Sequence, residues 1–524
     1  MGFRTIRSAT FLAFLTGTAA AQGTLFPVDY WYPAVDGPFG STLADVNADG
    51  KLDYFVVNNF ADSVSIFLGT GTGLFNAQPP VAVGAGAPRA LAVAELNGDN
   101  KPDLITVNSS NDVVAVLFGD GLGGFGAPTF FPTGNGTFPS SIVAGDLDGD
   151  GDIDLVTGDQ STNELSVLPG NGAGSFGSPR HFPMGYTPER IQLTDMNVDG
   201  KLDCVMSCWG DDRVVIALGD GNGNMSAFFD IFAPSPFGLA VGDMNADGKP
   251  DVATASTNNN VYVFFGSGAG TLQLPKNYWM HGNNYYPTSL MLADVSGDGR
   301  ADLITCNAGN PDSMTVFVNV GGGDFGFTLT SPIQEDAYDA VAGDLNGDGI
   351  ADVVTSNLIA DSIRVHMCAG VGCWERYCTA KVNSQGCTPT IFGIGTPSVS
   401  NARPFWVYVY RVLDSKPGLF LYTVNGSQAS TPFQGGTLCI GPSGIRRTPG
   451  MSSGTNPKFP SPNCEGVYAL NWNAFAQGLG GGNPSPGLLV IGNSYQIQVW
   501  SRDPGFAAPN NSGLSPAFDV TPWL

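Results

Sequence analysis

Short stretches in which apolar and polar residues alternate recur along most of the chain, separated by turns rich in Gly, Asn and Asp. In residues 139–183 there are four such stretches, PSSIVAG, IDLVTGD, ELSVLPG and SPRHFP. An acidic loop follows the first of them and a glycine-rich turn follows the third. Such alternation predicts β-strands, because successive side chains of a strand point to opposite faces. No stretch between them has helical spacing, so the pattern predicts an all-β fold.

This four-stranded unit repeats along the chain. Its acidic loop begins at positions 48 to 51 residues apart, namely Asp45, Glu95, Asp146, Asp195, Asp243, Asp294 and Asp344. A repeat of about 50 residues containing four short antiparallel strands is typical of one blade of a β-propeller. The sequence therefore predicts seven blades.

The fourth-strand segments are shifted along the chain by one repeat relative to the other three strands. The first fourth-strand segment, FPVDYWYPAV at residues 26–35, precedes every acidic loop, and none follows the last third-strand segment, IRVHMC. We therefore predict that the N-terminal strand completes the seventh blade. This arrangement closes a ring over residues 24–368 and removes the exposed strand edges of an open array.

The acidic loop DLDGDGDID has the composition of a cation site. Asp146, Asp148, Asp150 and Asp154 occupy positions 1, 3, 5 and 9, and the intervening glycines allow the backbone to curl tightly. Carboxylates this close repel one another unless a cation lies among them. Ca²⁺ accepts many oxygen ligands in loose geometry, so it is the ion we expect, with the carbonyl oxygen of Asp152 as a further ligand.

The loops, their period and the turns LFGDGLGGFGAP and LPGNGAGSFGSP resemble the FG-GAP/VCBS repeat family, which includes the propellers of integrin α-subunits. The resemblance implies an extracellular, Ca²⁺-stabilised propeller used in adhesion and recognition, although some members are fused to or built into polysaccharide-degrading enzymes. Carried over to this chain, the side-chain ligands are Asp45, Asn47, Asp49 and Asp53; Glu95, Asn97, Asp99 and Asp103; Asp146, Asp148, Asp150 and Asp154; Asp195, Asn197, Asp199 and Asp203; Asp243, Asn245, Asp247 and Asp251; Asp294, Ser296, Asp298 and Asp302; and Asp344, Asn346, Asp348 and Asp352. The position 7 residues, included in the predicted sites as further ligands, are Lys51, Lys101, Asp152, Lys201, Lys249, Arg300 and Ile350.

Two loops depart from the pattern. Glu95 is one methylene longer than Asp, and Asn100 replaces the turn glycine in the same loop. Ser296 is an uncharged ligand in the sixth loop. We expect these two sites to bind calcium most weakly.

The chain has a formal net charge of −24, and 22 of its 46 acidic residues occupy loop positions 1, 3, 5 and 9. Much of the negative charge therefore belongs to the predicted cation sites. It indicates calcium as a partner and argues against nucleic acid.

The ends of the chain differ from the repeats. Residues 1–21, with Arg4, Arg7, an apolar centre and Ala19 to Ala21, are typical of a secretory signal peptide. No later apolar run is long enough to span a membrane. These features predict a protein that is secreted or held at the cell surface.

After the propeller we predict a linker at residues 369–377 and a small, disulfide-containing β-sandwich-like domain at 378–524, which resembles a module of other secreted bacterial proteins. Six cysteines lie within one hundred residues near the C-terminus, from Cys368 to Cys464. Their local spacing favours Cys368–Cys373, Cys378–Cys387 and Cys439–Cys464 as disulfides, but many other pairings remain open. Three further cysteines, Cys204, Cys208 and Cys306, are interpreted as buried apolar residues.

The face opposite the acidic loops is the expected binding surface, since aromatic rings beside amides suit protein or sugar partners. Its predicted ligand-binding residues are Tyr186, Trp209, Tyr285 and Tyr286. The same loops carry Phe39, Phe60, Phe138, Phe237 and His281, with Asn58, Asn59, Asn108, Asn283, Asn307 and Asn357. Three of the phenylalanines, Phe39, Phe138 and Phe237, stand at similar repeat positions and are expected to pack between blades.

The sequence predicts a protein that is not an enzyme. Its three histidines lie in different segments, and it contains neither a GxSxG nor an HExxH motif. The predicted function is that of a secreted calcium-binding propeller which recognises or adheres to an extracellular protein or glycan. The alternatives are a Ca²⁺-dependent polysaccharide lyase and a purely structural surface protein.

Overall fold

The computed structural model describes residue 26, residues 28–280, 286–308, 312–333 and 337–368, and beyond these only the strands of the C-terminal part. The predicted signal peptide, His281, Asn283, Tyr285 and Cys373 lie outside the described residues. The chain divides into two compact units, one containing Val28–Cys368 and the other Ala369–Leu524.

The first unit is an all-β, seven-bladed propeller built from antiparallel sheets, as predicted. Within each blade the strands follow one another from the innermost to the outermost. In chain order they are β1 (Val28–Pro33); β2 (Pro38–Ala44), β3 (Asp53–Asn58), β4 (Ser63–Gly69), β5 (Phe75–Ala77) and β6 (Val81–Ala82) of blade 1; β7 (Pro88–Ala94), β8 (Asp103–Asn108), β9 (Val113–Leu117) and β10 (Thr129–Pro132) of blade 2; β11 (Pro139–Gly145), β12 (Asp154–Asp159), β13 (Glu164–Leu168) and β14 (Arg180–Pro183) of blade 3; β15 (Pro188–Thr194), β16 (Asp203–Cys208), β17 (Arg213–Gly219) and β18 (Met225–Phe232) of blade 4; β19 (Pro236–Gly242), β20 (Asp251–Ser256), β21 (Asn260–Phe264) and β22 (Lys276–Trp279) of blade 5; β23 (Tyr286–Ala293), β24 (Asp302–Ala308), β25 (Ser313–Asn319) and β26 (Phe325–Pro332) of blade 6; and β27 (Ala337–Gly343), β28 (Asp352–Asn357) and β29 (Ser362–Met367) of blade 7.

The N-terminal strand closes the ring, which confirms the prediction. β1 pairs with β29 from Val28 opposite Met367 to Pro33 opposite Ser362, and so supplies the fourth strand of blade 7. Tyr32 of this strand is buried, and its hydroxyl accepts a hydrogen bond from the Phe75 amide of blade 1 at 2.9 Å. The innermost strands β2 and β27 are also in contact. The last blade is thus tied to both the beginning of the chain and the first blade.

The core lies between neighbouring blades. Every residue of β3, β8, β12, β16, β20 and β28 is buried, because each of these second strands is covered on both faces. One core cluster joins Val205 and Val214 of blade 4 to Leu239 and Val252 of blade 5. Burying a side chain of this size stabilises the fold by roughly 1.5–3 kcal/mol. The blades are therefore held together mainly by apolar packing around the ring.

The innermost strands share an irregularity at their first residues. Each has a register shift of the kind that marks a β-bulge, for example between Pro188 and Arg190 in β15 and between Ala337 and Asp339 in β27. A bulge re-aims the extra side chain and increases the local twist. It places Phe39, Arg89, Glu189 and Tyr338, among others, at one mouth of the central channel.

Helical structure in the described residues is limited to two 3-10 turns, Ser109–Asn111 and Trp209–Asp211. Among these residues, no helix has the length and apolar character needed to cross a membrane.

The second unit contains strands in three antiparallel sheets. They are β30 (Arg376–Tyr377), β31 (Thr390–Ile394), β32 (Trp406–Val412), β33 (Pro417–Val424), β34 (Gln428–Phe433), β35 (Gly436–Ile440), β36 (Arg446–Arg447), β37 (Met451–Ser452), β38 (Gly466–Asn471), β39 (Tyr495–Arg502), β40 (Ser512–Leu514) and β41 (Ala517–Val520). The predicted disulfides and the packing of a sandwich fall outside what is described, and they stay predictions.

Candidate functional site

The seven acidic loops all connect the first strand of a blade to its second strand. Because first strands run in the same direction around the ring, these loops lie on one face of the propeller. We call this the acidic-loop face, and the other the opposite face.

Within each loop the carboxylates and amides organise the backbone. In loop 1, Asp45 accepts hydrogen bonds from the amides of Asp49 and Gly50 at 3.2 and 2.8 Å. The side chain of Asn47 accepts one from the Asp49 amide at 3.0 Å, and Asp49 in turn accepts one from the Lys51 amide at 3.0 Å. These short-range bonds curl the loop and hold its side-chain oxygens on a small arc.

Position 9 has a structural role that the sequence did not reveal. In loop 5, Asp251 is fully buried, and its two oxygens accept hydrogen bonds from the Gly266 and Met244 amides at 2.8 and 2.9 Å. The same pair of backbone hydrogen bonds recurs at Asp53, Asp103, Asp154, Asp203, Asp302 and Asp352. Each position 9 carboxylate therefore ties its loop to the end of the third strand of the same blade.

Burial raises the pKa of Asp251 to about 6 and that of Asp302 to about 7, although the backbone donors act in the opposite direction. The neighbouring carboxylates at positions 1 and 5 raise these pKa values further. A cation held among these oxygens would offset that repulsion. The donor set of carboxylates, amides and backbone carbonyls matches the oxygen ligands that Ca²⁺ prefers.

Loop 3 brings carboxylates closest together. Ligand oxygens of Asp146, Asp148 and Asp154 lie within 4.8 Å of one another, a spacing that can hold a metal ion. Loop 3 also has Asp152 at position 7, where five other loops have a cationic side chain.

Those cations lie on the outside of their loops. Lys51, Lys101, Lys201, Lys249 and Arg300 each pair with the position 5 aspartate of the same loop, Lys51 with Asp49 at 3.1 Å. The stem of Lys51 also packs against Gly71, whose φ of +74° favours glycine and where a Cβ would lie 3.0 Å from the lysine Cδ. Among the described ion pairs, none involves a position 1 or position 9 carboxylate.

The two atypical loops keep the general shape. Glu95 accepts hydrogen bonds from three successive amides, of Asn97, Gly98 and Asp99, and Asn100 adopts the left-handed conformation with φ of +62°. In loop 6 the Ser296 amide, rather than that of the preceding residue, donates to Asp302 at 2.9 Å. The weaker binding expected of these loops stays a prediction.

The acidic loops also connect neighbouring blades. The Gly73 amide of blade 1 donates to the Leu345 carbonyl in loop 7 at 3.0 Å, and the Gly174 amide of blade 3 donates to Leu96 in loop 2 at 2.8 Å. Equivalent bonds join Gly223 to Leu147 and Gly270 to Met196. In these four blades, the glycine-rich hairpin turn therefore also fastens the blade to the acidic loop of the blade before it.

The opposite face carries the predicted aromatic residues. Tyr186, Trp209 and Tyr286 are 62, 47 and 59% exposed, and Phe60 is 67% exposed. Tyr186 and Trp209 belong to neighbouring connections of blade 4: the Gly210 amide donates to the Tyr186 carbonyl, and the Trp209 amide to the Thr187 carbonyl, both at 3.1 Å. The structure therefore brings these two residues together on an ordered backbone.

The prediction that four asparagine side chains lie on the surface of this face is wrong. Asn58, Asn108, Asn307 and Asn357 are fully buried at the ends of second strands. Asn58, for example, donates to Ser63 and Ser65 of the adjacent strand at 3.0 Å each. They are polar links inside the blades, because a buried amide must find partners within the protein.

The three phenylalanines occupy different environments. The rings of Phe39 and Tyr338, from blades 1 and 7, lie 3.7 Å apart between their centroids. Phe138 is 36% exposed and precedes the proline of its strand, whereas Phe39 and Phe237 follow theirs. The repeat spacing was thus a poor guide to the position of Phe138.

Cys204, Cys208 and Cys306 are buried, in agreement with their interpretation as core residues. Burial raises the pKa of the Cys208 thiol to about 12, so this sulfur stays protonated and unreactive. The sulfur of the buried Cys368 lies 3.0 Å from the Val295 carbonyl oxygen.

Blade 3 contains a polar chain that sequence reasoning missed. Ser166 donates to the carboxylate of Asp159, and its oxygen lies 2.8 Å from Nδ1 of His181. Thr157 also donates to Asp159, at 2.9 Å. Ser166 and Asp159 are fully buried, which excludes Ser166 as a surface nucleophile. The one available signal was that Asp159 stands where four other blades have asparagine.

Replacing Asp159 with Asn is expected to stabilise the protein at pH 8 by about 2–3 kcal/mol and to leave it nearly unchanged at pH 5. Burial raises the pKa of Asp159 to about 7, so the folded state binds a proton that the unfolded state releases near pH 4. The protonated Asp159 carboxyl therefore contributes to the free energy of unfolding at low pH, and this contribution is lost as the pH rises towards 7. Urea unfolding of both proteins between pH 5 and 8 measures the difference.

The exposed Asp230, which pairs with Arg213, provides a control, since Asp230→Asn should shift stability little and equally at both pH values. Parallel pH profiles for wild type and Asp159→Asn would contradict the prediction.

The acidic loops and blades match a known family of repeats. Five overlapping matches to the family of FG-GAP-like repeats cover residues 45–106, 95–157, 146–206, 195–254 and 243–305, each beginning at the first residue of an acidic loop. A phosphatidylinositol-glycan-specific phospholipase D from Rattus norvegicus is 32% identical over 21% of this chain. The matched part spans only 17% of that protein.

Several solved structures are similar in shape. BBS1N in complex with ARL6DN matches with 14% identity and a TM-score of 0.46, covering 64% of this chain and 96% of the other. Virginiamycin B lyase from Staphylococcus aureus matches with 10% identity and a TM-score of 0.46, covering 64% and 98%. A periplasmic gluconolactonase from Pseudomonas aeruginosa matches with 19% identity and a TM-score of 0.43, covering 57% and 86%.

The family matches coincide with the acidic loops and blades described above, over residues 45–305. The chain therefore belongs to the FG-GAP repeat family.

Proposed function

We propose that this protein is a calcium-binding recognition module, with Ca²⁺ in the acidic loops and an extracellular protein or glycan bound on the opposite face. One observation carries this proposal. The seven acidic loops occupy one face, whereas exposed aromatic side chains, including Tyr186 and Trp209, gather on the other. A stabilised scaffold on one side and an adhesive surface on the other suit a recognition module.

Calcium in this proposal is held by the side chains of loop positions 1, 3, 5 and 9. When bound, the ion would neutralise carboxylates that otherwise repel one another. In four loops the carbonyl at position 2 accepts an amide of the next blade, so ordering such a loop also strengthens a contact between blades. Ligands that bind only the native state stabilise it by mass action.

The proposed recognition surface centres on Tyr186 and Trp209. Aromatic side chains contribute strongly to interfaces, because they bury much area and lose few rotamers on binding. The backbone under both residues is held by hydrogen bonds, including one from the Tyr186 amide to Asp211 at 2.7 Å. The pair is therefore pre-ordered for a partner.

We also propose that the protein acts outside the cell. The leader-like residues 1–21 and the family, whose repeats are typical of extracellular proteins, support this location.

A glycan and extracellular-protein array, with calcium and with EDTA, tests the proposal. We expect specific binding in calcium that falls at least tenfold in Trp209→Ala and Tyr186→Ala. Leu122→Ala is the matched control, since Leu122 is 78% exposed but lies in a turn on the acidic-loop face. Equal loss in all three variants, or no specific binding to either array, would contradict the proposal.

An enzymatic role is the second candidate, because one relative carries a phospholipase D name, although the match covers a small part of it. Release of product from an arrayed polysaccharide or from a phosphatidylinositol glycan would favour this candidate.

A further inference from the structure

The central channel contains a cavity of about 390 Å³. It is bounded by the innermost strands of blades 1, 4, 5, 6 and 7. Its polar lining includes Ser41, Thr42, Gln192 and Ser289, and aliphatic side chains together with one methionine form most of the remaining wall. Its volume falls in the range of small-molecule sites, roughly 300–1,000 Å³.

An ion pair crosses this channel. Nη2 of Arg190, in blade 4, donates to Oδ1 of Asp339, in blade 7, at 3.0 Å, and to the Thr288 carbonyl at 3.3 Å. The other carboxylate oxygen of Asp339 accepts hydrogen bonds from the amide and hydroxyl of Ser41 at 2.8 and 3.1 Å. Asp339 is buried, whereas the Arg190 side chain remains 27% exposed and lines the cavity.

The Arg190 guanidinium has unused hydrogen-bond donors. Its two hydrogen bonds both use Nη2, and within the described part of the chain Nε and Nη1 have no acceptor. The guanidinium has five N–H donors in a fixed planar arrangement. A partner with oxygen acceptors can therefore bind beside the ion pair without breaking it.

The charges around the channel mouth are balanced. Arg89 donates to Gln160 at 3.0 Å, and Gln160 donates to Glu189 at 2.6 Å. Two arginines thus stand with two carboxylates, Glu189 and Asp339. For an added anion or cation, attraction and repulsion by these four charges largely cancel, so a charged ligand would lose its hydration without a net attraction to offset that cost. A neutral ligand avoids this cost.

We propose that the channel binds one neutral polyhydroxylated ring, the terminal monosaccharide of a glycan, with Arg190, Asp339 and Gln192 as its principal hydrogen-bonding partners. Each sugar hydroxyl donates and accepts, which matches a lining that offers guanidinium donors, a carboxylate acceptor, an amide and serine and threonine hydroxyls. This proposal rests on the recognition function proposed above and names the glycan as its ligand.

Isothermal titration of the full chain tests it with glucose, galactose, mannose and N-acetylglucosamine, and with glucuronate and glucosamine as charged analogues. We expect one site per chain for at least one neutral sugar and at least tenfold weaker binding of its charged analogues. Arg190→Met should weaken binding at least tenfold. Ala342→Leu should do the same by filling the cavity without touching the ion pair, so it keeps the test valid if Arg190→Met does not fold.

Arg213→Met is the matched control, because Arg213 is an exposed arginine of an outer strand pair and should leave affinity unchanged. The proposal is overturned if no neutral sugar saturates, if a charged sugar binds more tightly, or if both cavity variants bind like wild type. Array binding that depends on Trp209 but not on Ala342 or Arg190 would also overturn it, while leaving the recognition function intact.

Discussion

Deleting residues 28–33 is expected to destabilise the propeller by more than about 4 kcal/mol and to make it self-associate. The deletion removes β1, the fourth strand of blade 7, with its six paired residues and the buried Tyr32. The rings of Phe67 and Phe75 in blade 1 pack at 5.9 and 6.0 Å from that of Tyr32, so the deletion also opens the contact between the last blade and the first. The edge of β29 then becomes a template for another strand. Urea unfolding and size-exclusion chromatography measure the two effects.

Trp31→Ala serves as the control for this deletion. Trp31 lies in the same strand but is 44% exposed, so its loss should cost less than about 1 kcal/mol and leave the protein monomeric. A deletion variant as stable and as monomeric as Trp31→Ala would show that β1 does not close the ring.

The second large effect concerns position 9 of the loops. Asp251→Asn is expected to cost about 2–4 kcal/mol even in EDTA, because the carboxylate accepts two backbone hydrogen bonds in the core. An asparagine has one acceptor oxygen, so its NH₂ group would face one of the two amide donors. The backbone would lose a partner at a site with no access to water. Urea unfolding with calcium and with EDTA gives both values.

Asp247→Asn, at position 5 of the same loop, is the matched control. This side chain is exposed and stands among like charges, so in EDTA its replacement should leave stability unchanged or slightly raised. In calcium it should lose the part of the stability that ion binding supplies. Equal losses for both variants in EDTA would contradict a structural role peculiar to position 9.

The ring itself could be predicted from the sequence, because its signals are local and repeated. Each blade shows its own strand alternation and its own acidic loop, and the displaced segment at residues 26–35 was enough to predict closure by β1. These features depend on short-range pattern and on counting, which the sequence displays directly.

The polar interior could not be predicted in the same way. Arg190 and Asp339 are 149 positions apart in the chain, and only ring closure brings them across the channel. Likewise, Asn58 and Asn108 follow the pattern of loop residues, yet the end of each second strand is covered by its neighbours. Burial at these positions depends on packing between blades rather than on local sequence.

The acidic loops could be predicted only in part. Their oxygen-rich composition and their place on one face were predicted, but the anchoring of the third strand by position 9 was not. The two tasks are compatible, since a carboxylate oxygen can accept a backbone hydrogen bond and still offer a lone pair to a cation.

We propose that the acidic loops hold calcium and that the ions stabilise the ring. The most direct test is to determine the calcium content of the full chain after dialysis against micromolar calcium, together with its melting temperature with and without EDTA. We predict several ions per chain, up to one for each loop, and a melting temperature that falls by about 10 °C or more on chelation. Less than one calcium per chain, with an unchanged melting temperature after complete chelation, would show that calcium does not stabilise the ring.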